Sequence, residues 1–159
     1  MTADDFPILS GMSIKRIVLN PGAMRSPHWH ANANELTYCV SVTSLVSVLD
    51  TSSKFASFTV AAGEMFHVDS GSLHHIENIG DEPAEFILSF RSERPEDFGL
   101  AAAFGAMTDA VLGNTHHLPA SDFARSGGTP QTAGWPRAPA TRWCRRPQPS
   151  TTRTSSGPL

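Results

Sequence analysis

Two histidines and a glutamate lie close together in the stretch PHWHANANE at residues 27–35. His28 and His30 are two residues apart, and side chains at that spacing on a β-strand point to the same side. Glu35 follows after ANAN, a spacer whose residues suit a bend that returns the carboxylate to the same point. Neutral imidazoles and a carboxylate that converge from a rigid scaffold can bind a transition metal. A packed or exposed histidine pair with no ligand role is the alternative that this stretch leaves open.

A second stretch, GEMFHVDSGSLHHIEN at residues 63–78, places another histidine behind a glycine turn. Together the two stretches resemble the cupin family, whose motifs are G-x(5)-H-x-H-x(3,4)-E-x(6)-G and G-x(5)-P-x-G-x(2)-H-x(3)-N. The matching residues are Gly22, His28, His30 and Glu35 in the first motif, and Gly63, Gly71, His74 and Asn78 in the second. The resemblance covers about residues 6–112, and implies a β-barrel with a metal bound by His28, His30, Glu35 and His74.

Two positions depart from these motifs. Val42 stands where the first motif ends in glycine, and Asp69 stands where the second has proline. Both are turn positions, so the departures concern loop geometry rather than the metal ligands. If the family glycine has a positive φ, a β-branched valine at that position is strained.

The stretches NPGAMRSPHWH and HHIENIGDEPAEFILSF further resemble one cupin half of the oxalate decarboxylases, which are manganese-dependent. That resemblance implies that Arg25 lies beside the metal, where its planar fork of donors suits a substrate carboxylate. It also implies a proton donor in the loop RSERPEDFG, with Glu93 and Glu96 as the candidates, although solvated loop carboxylates are the alternative. Leu88 occupies a position where one half of those enzymes has a glutamate.

The predicted cofactor is one divalent transition metal. Mn²⁺ is expected first, while Fe, Zn, Ni and Cu stay open because affinity for a nitrogen-rich site follows the general first-row order. Asn78 and nearby backbone carbonyls are expected to orient the imidazoles. The predicted partner is a small carboxylate, which the metal and Arg25 would bind in an oxalate decarboxylase-like reaction.

Two other functions remain open: a dioxygenase or isomerase acting on another small acid or sugar derivative, and a non-catalytic small-ligand binder. Acid–base decarboxylation is favoured if Arg25 and an ionisable group both face the metal cavity, whereas a cavity with apolar walls favours binding or oxygen chemistry.

The fold class predicted from the residue pattern is all-β. Turn signals separate short strand-like runs with no helical segment among them, which is typical of a sandwich or barrel. The predicted strands are 13–20, 35–42, 44–50, 55–61, 64–68, 73–79 and 84–90. One helix is predicted over 100–112, with Asp97 capping its start and Gly113-Asn114 ending it.

The resulting division of the chain is an N-terminal arm at 1–12, a cupin double-stranded β-helix (jelly-roll) barrel at 13–92, a loop and C-terminal helix at 93–115, and a low-complexity tail at 116–159. The change in composition is sharpest from Ser126 onward, where Pro, Gly, Ser, Thr and Arg dominate. Such a segment buries too little apolar surface to offset its ordering entropy, so disorder is predicted for it.

The composition is that of a soluble globular domain. Of the 159 residues, 40% are apolar, and the net charge of −3 favours neither nucleic-acid nor membrane binding. The N-terminus shows no secretory signal, and the two cysteines make a poor disulfide framework. We therefore expect a cytoplasmic protein. A homodimer is expected from the cupin resemblance, with the apolar face of 100–112 and the strand SIKRIVLN as candidate interfaces.

Several further side chains carry expectations of their own. His75 should face away from the ligand side of its strand, and Trp29 should face away from the metal. His116 and His117 are expected in a loop after the helix.

Overall fold

The computed structural model describes residues 1–124 and has two antiparallel β-sheets with a common core. One sheet has the strand order β1-β8-β3-β6, and the other has the order β5-β4-β7-β2-β9. The predicted all-β fold class is confirmed. The strands are β1 (Ser13–Leu19), β2 (Met24–Trp29), β3 (Glu35–Ser41), β4 (Ser44–Leu49), β5 (Phe55–Val60), β6 (Met65–Val68), β7 (Leu73–Asn78), β8 (Ala84–Phe90) and β9 (Phe98–Gly99).

Alternating burial along the strands directs one side of each sheet toward the core. On β8 every second residue is buried and the residues between are partly exposed, the alternation expected of a strand with one face in the core. The buried residues are Ala84, Phe86, Leu88 and Phe90. Phe86, Phe90 and Ile76 are among the largest side chains that are almost completely buried. Burial of large apolar side chains is the main stabilising contribution in such a fold.

Two strands of the second sheet are absent from the set of predicted strands. β2 contains Arg25, Ser26 and Pro27, so it lacks the β-branched and aromatic residues that mark a strand. Proline is compatible with this strand because the pairing of β2 with β7 is irregular at that point. β9 has only two residues, too few for any periodic signal.

Val42 has a φ of 67°, in the left-handed region, so the expected strain on a β-branched residue at this position is present. Its side chain packs against the edge of the core despite the unfavourable backbone. Gly80 lies next to it, and a Cβ atom on Gly80 would come within 2.5 Å of a Val42 methyl carbon. The absence of a side chain at position 80 therefore accommodates the valine at position 42.

The variant Gly80→Ala should destabilise the fold by about 1–3 kcal/mol, because the new methyl group overlaps with Val42 in a packed region. Chemical denaturation of both proteins measures this difference. The double variant Val42→Gly/Gly80→Ala removes the overlap and should lose less stability than the sum of the single changes. Strict additivity of the two changes would show that the contact is unimportant.

The single helix predicted over 100–112 is wrong. The segment forms two helices, α1 (Leu100–Gly105) and α2 (Asp109–His116), because Thr108 begins a new helix by accepting a hydrogen bond from Val111 N–H at 3.3 Å. Asp97 does not cap α1, whose N-cap is Gly99. The predicted end at Gly113-Asn114 is also wrong, since α2 continues to His116 and ends at a left-handed His117.

The prediction that the low-complexity tail begins at residue 116 is too early, because regular structure continues beyond that residue. Residues 120–123 form a short 3₁₀ helix, and His116 stacks on Phe104 and Phe123 with ring centroids 5.8 and 5.6 Å away. The expectation of a loop pair thus fails for His116. The segment after residue 124, for which disorder is predicted, lies outside the described residues. Across residues 1–124 no helix has the length and apolarity needed to cross a membrane.

Candidate metal centre

Four side chains from three parts of the chain converge inside the barrel. One potential ligand atom from each lies within 4.8 Å of the others, and all four residues are buried, with exposures of 1–3%. These are His28, His30, Glu35 and His74, the set implied by the cupin motifs.

The two sheets contribute different ligands to this cluster. His28 on β2 lies directly opposite His74 on β7 in the antiparallel pairing, so both side chains occupy the same face of one sheet. Glu35 is the first residue of β3 in the other sheet. His30 lies one residue beyond the end of β2, so the pair His28 and His30 is only partly on a strand. The site therefore lies between the sheets, where water has little access.

Backbone carbonyls orient all three imidazoles. Nδ1 of His28 is 2.8 Å from the carbonyl of Ser26, and Nδ1 of His74 is 3.0 Å from that of Ser72. Nδ1 of His30 is 2.7 Å from the carbonyl of Glu96. Because a carbonyl oxygen can only accept, each Nδ1 must carry the proton and donate it. Each Nε2 is then left as a lone-pair donor, which is the state that a metal requires.

The remaining atoms at the centre do not satisfy one another. Nε2 of His30 lies 3.0 Å from Oε2 of Glu35, and Nε2 of His74 lies 3.4 Å from the same oxygen. Nε2 of His74 is buried and makes no hydrogen bond. With the protons held on Nδ1, these nitrogens and the carboxylate oxygen present lone pairs to each other, which is unfavourable without a cation between them. A divalent metal ion fits this donor set.

The electrostatics of the cluster keep its ligands in their metal-binding forms. The pKa of His28 is lowered to about 4, chiefly by burial and also by the nearby His74 and Arg25, while the Ser26 carbonyl and Asp97 act in the opposite direction. Burial alone would raise the pKa of Glu35. The Thr37 hydroxyl, 2.5 Å away, donates a hydrogen bond to the carboxylate, and the pKa of Glu35 lies below its usual value.

A bulge in β2 brings Arg25 to the ligand side of the sheet. Arg25 pairs with Ile76 and His28 pairs with His74, so two residues of β2 stand opposite the single residue His75. On a regular strand, residues three apart, such as Arg25 and His28, point to opposite faces. The extra residue of the bulge brings these two side chains to the same face. Ile76 is a core residue at 1% exposure, so Arg25 opposite it faces the barrel interior.

One short segment, residues 96–99, contacts several parts of the site, and we call it the 96–99 segment. Its Glu96 carbonyl accepts the hydrogen bond from His30, and its Asp97 carboxylate forms an ion pair with Arg25. Its last two residues form β9, which pairs with β2, and the Phe98 ring stacks on Trp29 at 5.6 Å. Sequence reasoning missed the role of Asp97, because no local pattern reveals an ion pair across 72 residues.

The two loop carboxylates predicted as proton donors have different surroundings. Glu93 accepts a hydrogen bond from the backbone of Gly11 at 2.8 Å, so it joins the loop to the N-terminal arm. Glu96 is exposed, and its backbone rather than its carboxylate contacts the site. Their catalytic role stays a prediction. Leu88, at the position where a glutamate was considered, is a core residue with 3% exposure.

Asn78 does not orient the imidazoles. Its amide nitrogen donates to the carbonyls of Leu19 and Glu82 at 2.9 and 2.8 Å, and its oxygen accepts from Gly80 N–H. The residue therefore fastens the loop between β7 and β8 to the end of β1. His75 lies beside Glu77 at 2.7 Å and outside the ligand cluster, as expected from its position.

Comparison with known proteins places these observations in a family. Residues 1–120 match the family model described as Cupin. The chain is 36% identical over 106 residues to germin-like protein 5-1 of Oryza sativa subsp. japonica, covering 64% of this chain and 48% of that protein. It is 31% identical over 96 residues to oxalate decarboxylase OxdC of Bacillus subtilis, covering 60% and 25%. The chain thus spans half or less of the length of these relatives.

Solved structures show the same architecture. An oxalate oxidase aligns with a TM-score of 0.74 over 84% of this chain and 71% of that chain, at 23% identity, which shows a shared fold. The oxalate decarboxylase of Bacillus subtilis, whose structure is described with Mn(II) centres, aligns with a TM-score of 0.70 at 27% identity. That alignment covers 77% of this chain and 32% of that chain.

Proposed function

Because this chain belongs to the cupin family, we propose that it is a metal-dependent enzyme acting on a small carboxylic acid, in the manner of oxalate decarboxylase. The observation that supports this proposal is the position of Arg25 on the same inward face as His28 and His74. A guanidinium beside a metal centre suits a ligand with two oxygen-rich ends.

The chain's own residues would divide the work as follows. His28, His30, Glu35 and His74 would hold the ion, and a bound divalent metal supplies Lewis acidity and open positions for small oxygen ligands. Arg25 would bind the end of the acid that the metal does not hold and fix the orientation of the acid. The surrounding core, which includes Phe90 against the ring of His30 at 4.9 Å, excludes water. Manganese is the proposed metal, supported by the relative described with Mn(II) centres.

The direct test is an assay of Mn²⁺-loaded protein with oxalate. Decarboxylation gives formate and CO₂ in equal amounts, while oxidation, with dioxygen as the oxidant, gives hydrogen peroxide and CO₂. Absence of all three products from protein that carries its metal would overturn the proposal. Oxalate oxidation is the second candidate function, because a buried Leu88 leaves that position without the acid group that decarboxylation needs.

Substitution of Arg25 should separate substrate binding from metal binding. In Arg25→Lys the charge stays but the two-pronged contact is lost, so we expect the KM for oxalate to rise about tenfold. Steady-state kinetics and metal analysis measure the two properties. Metal content should not change. Arg16→Lys is the matched control, since Arg16 forms its own carboxylate pair with Glu85 on β1 and β8. An unchanged KM in Arg25→Lys would remove this arginine from the substrate site.

We also propose a cytoplasmic homodimer. Support for self-association comes from β1, which is an edge strand of its sheet and leaves Val18 46% exposed. On the helical segment Met107 and Val111 are also exposed. Sedimentation analysis of the purified chain tests the proposal, and a purely monomeric protein at micromolar concentration would contradict it.

A further inference from the structure

Arg25 meets a carboxylate of this chain at the position where a substrate carboxylate would bind. The ion pair with Asp97 is half-buried, with the two side chains 32% and 33% exposed. It is held between a bulged strand and the 96–99 segment, which the His30–Glu96 contact fixes in place. This contact therefore differs from a mobile surface pair, in which solvent and side-chain freedom reduce the interaction.

Both members of the pair lie beside the metal ligands. The bulge in β2 places Arg25 on the same face as His28 and His74, and Asp97 follows Glu96, whose carbonyl accepts the hydrogen bond from His30. Asp97 is thus part of the electrostatic environment of any ligand that binds there.

The net charge of the site with a metal ion bound can be counted from its residues. A divalent ion, three neutral imidazoles and one carboxylate give a net charge of about +1. Arg25 raises this sum to about +2, which matches a dianion. Asp97 returns it to about +1, which matches a monoanion.

We propose that Asp97 is a specificity-determining residue that sets the charge of the acid accepted at the metal centre, favouring small monoanions over dianions. Asp97 acts by occupying part of the Arg25 fork and by adding a negative charge beside it. A dianion must either displace Asp97 or approach it, and both cost free energy in a partly dry site. This inference rests on the proposed function, because it assumes that a small acid binds beside Arg25.

The test is calorimetric binding of glycolate, a monoanion, and oxalate, a dianion at pH 7, to Mn²⁺-loaded protein. In Asp97→Asn we expect the ratio of oxalate affinity to glycolate affinity to rise about tenfold relative to the wild type. Asp97→Glu keeps the charge and should retain the wild-type ratio. A purely structural role would weaken both ligands together and leave the ratio unchanged.

Glu85→Gln is the matched control, because it removes a carboxylate from the exposed pair with Arg16 and should leave the ratio within about twofold of wild type. If Asp97→Asn folds poorly, Asp97→Ser provides the same loss of charge with a smaller side chain. A ratio that stays constant in both variants, while wild-type protein binds both acids, overturns the role of Asp97 alone. Failure of metal-loaded wild type to bind either acid overturns the proposed function and this inference together.

Discussion

Replacing His74 by alanine is expected to abolish metal binding by the folded protein. The variant removes one of the three imidazoles from a buried cluster of four potential ligands. Loss of a group that hydrogen-bonds to a metal ligand already lowers metal affinity by about 10–100-fold. Loss of the ligand itself should therefore lower metal affinity by more than about 100-fold. Metal analysis after gel filtration should give about one ion per wild-type chain and almost none for the variant.

His75→Ala is the matched control for this experiment. His75 is adjacent in sequence but lies on the other side of β7, where it contacts Glu77. The control should bind metal as the wild type does. Added Mn²⁺ should raise the melting temperature of wild type and His75→Ala, and leave that of His74→Ala unchanged. Stoichiometric metal in His74→Ala would show that the four-residue cluster is not the binding site.

The metal-free protein should lose stability as the pH falls from about 6.5 to about 4. The pKa of His28 is lowered from 6.5 to about 4 in the folded state, chiefly by burial. Between these values the unfolded chain binds a proton that the folded chain does not, so the free energy of unfolding decreases with decreasing pH. The shift corresponds to about 3 kcal/mol, and the loss is complete below the folded pKa.

Urea unfolding of EDTA-treated protein at a series of pH values measures this loss. His28→Gln should show a flatter profile over the same interval, because glutamine does not titrate. Exposed acids such as Asp50 and Glu85 also have lowered pKa values, and their contributions are lost at still lower pH and are shared by both proteins. Parallel profiles for wild type and His28→Gln would contradict the assignment of the effect to His28.

The metal ligands could be predicted because their signal is local. His28, His30 and Glu35 fall within eight residues, and their spacing together with a glycine turn before His74 is enough to place them in a known pattern. The strand alternation that places Phe86 and Phe90 in the core is equally local. Such features depend on period and residue type, which a sequence displays directly.

The residues around the ligands could not be predicted, because their partners are distant in the chain. Asp97 looks like a helix cap from its neighbours, yet its partner Arg25 lies 72 residues away. Arg25 itself faces inward only because β2 contains a bulge, and a bulge has no marker in this stretch. Asn78 matches the family motif, but the motif does not reveal that it holds a loop rather than an imidazole.

The orientation of His30 has a consequence for how the protein is made. His28 and His74 each donate to a carbonyl two residues earlier, so short nascent segments already contain those contacts. His30 instead depends on Glu96, 66 residues later. A ribosome-bound chain that stops before Glu96 thus carries all four ligands but lacks the acceptor that selects the correct tautomer of one of them. Cofactor insertion during biosynthesis should accordingly follow, rather than precede, the emergence of that part of the polypeptide.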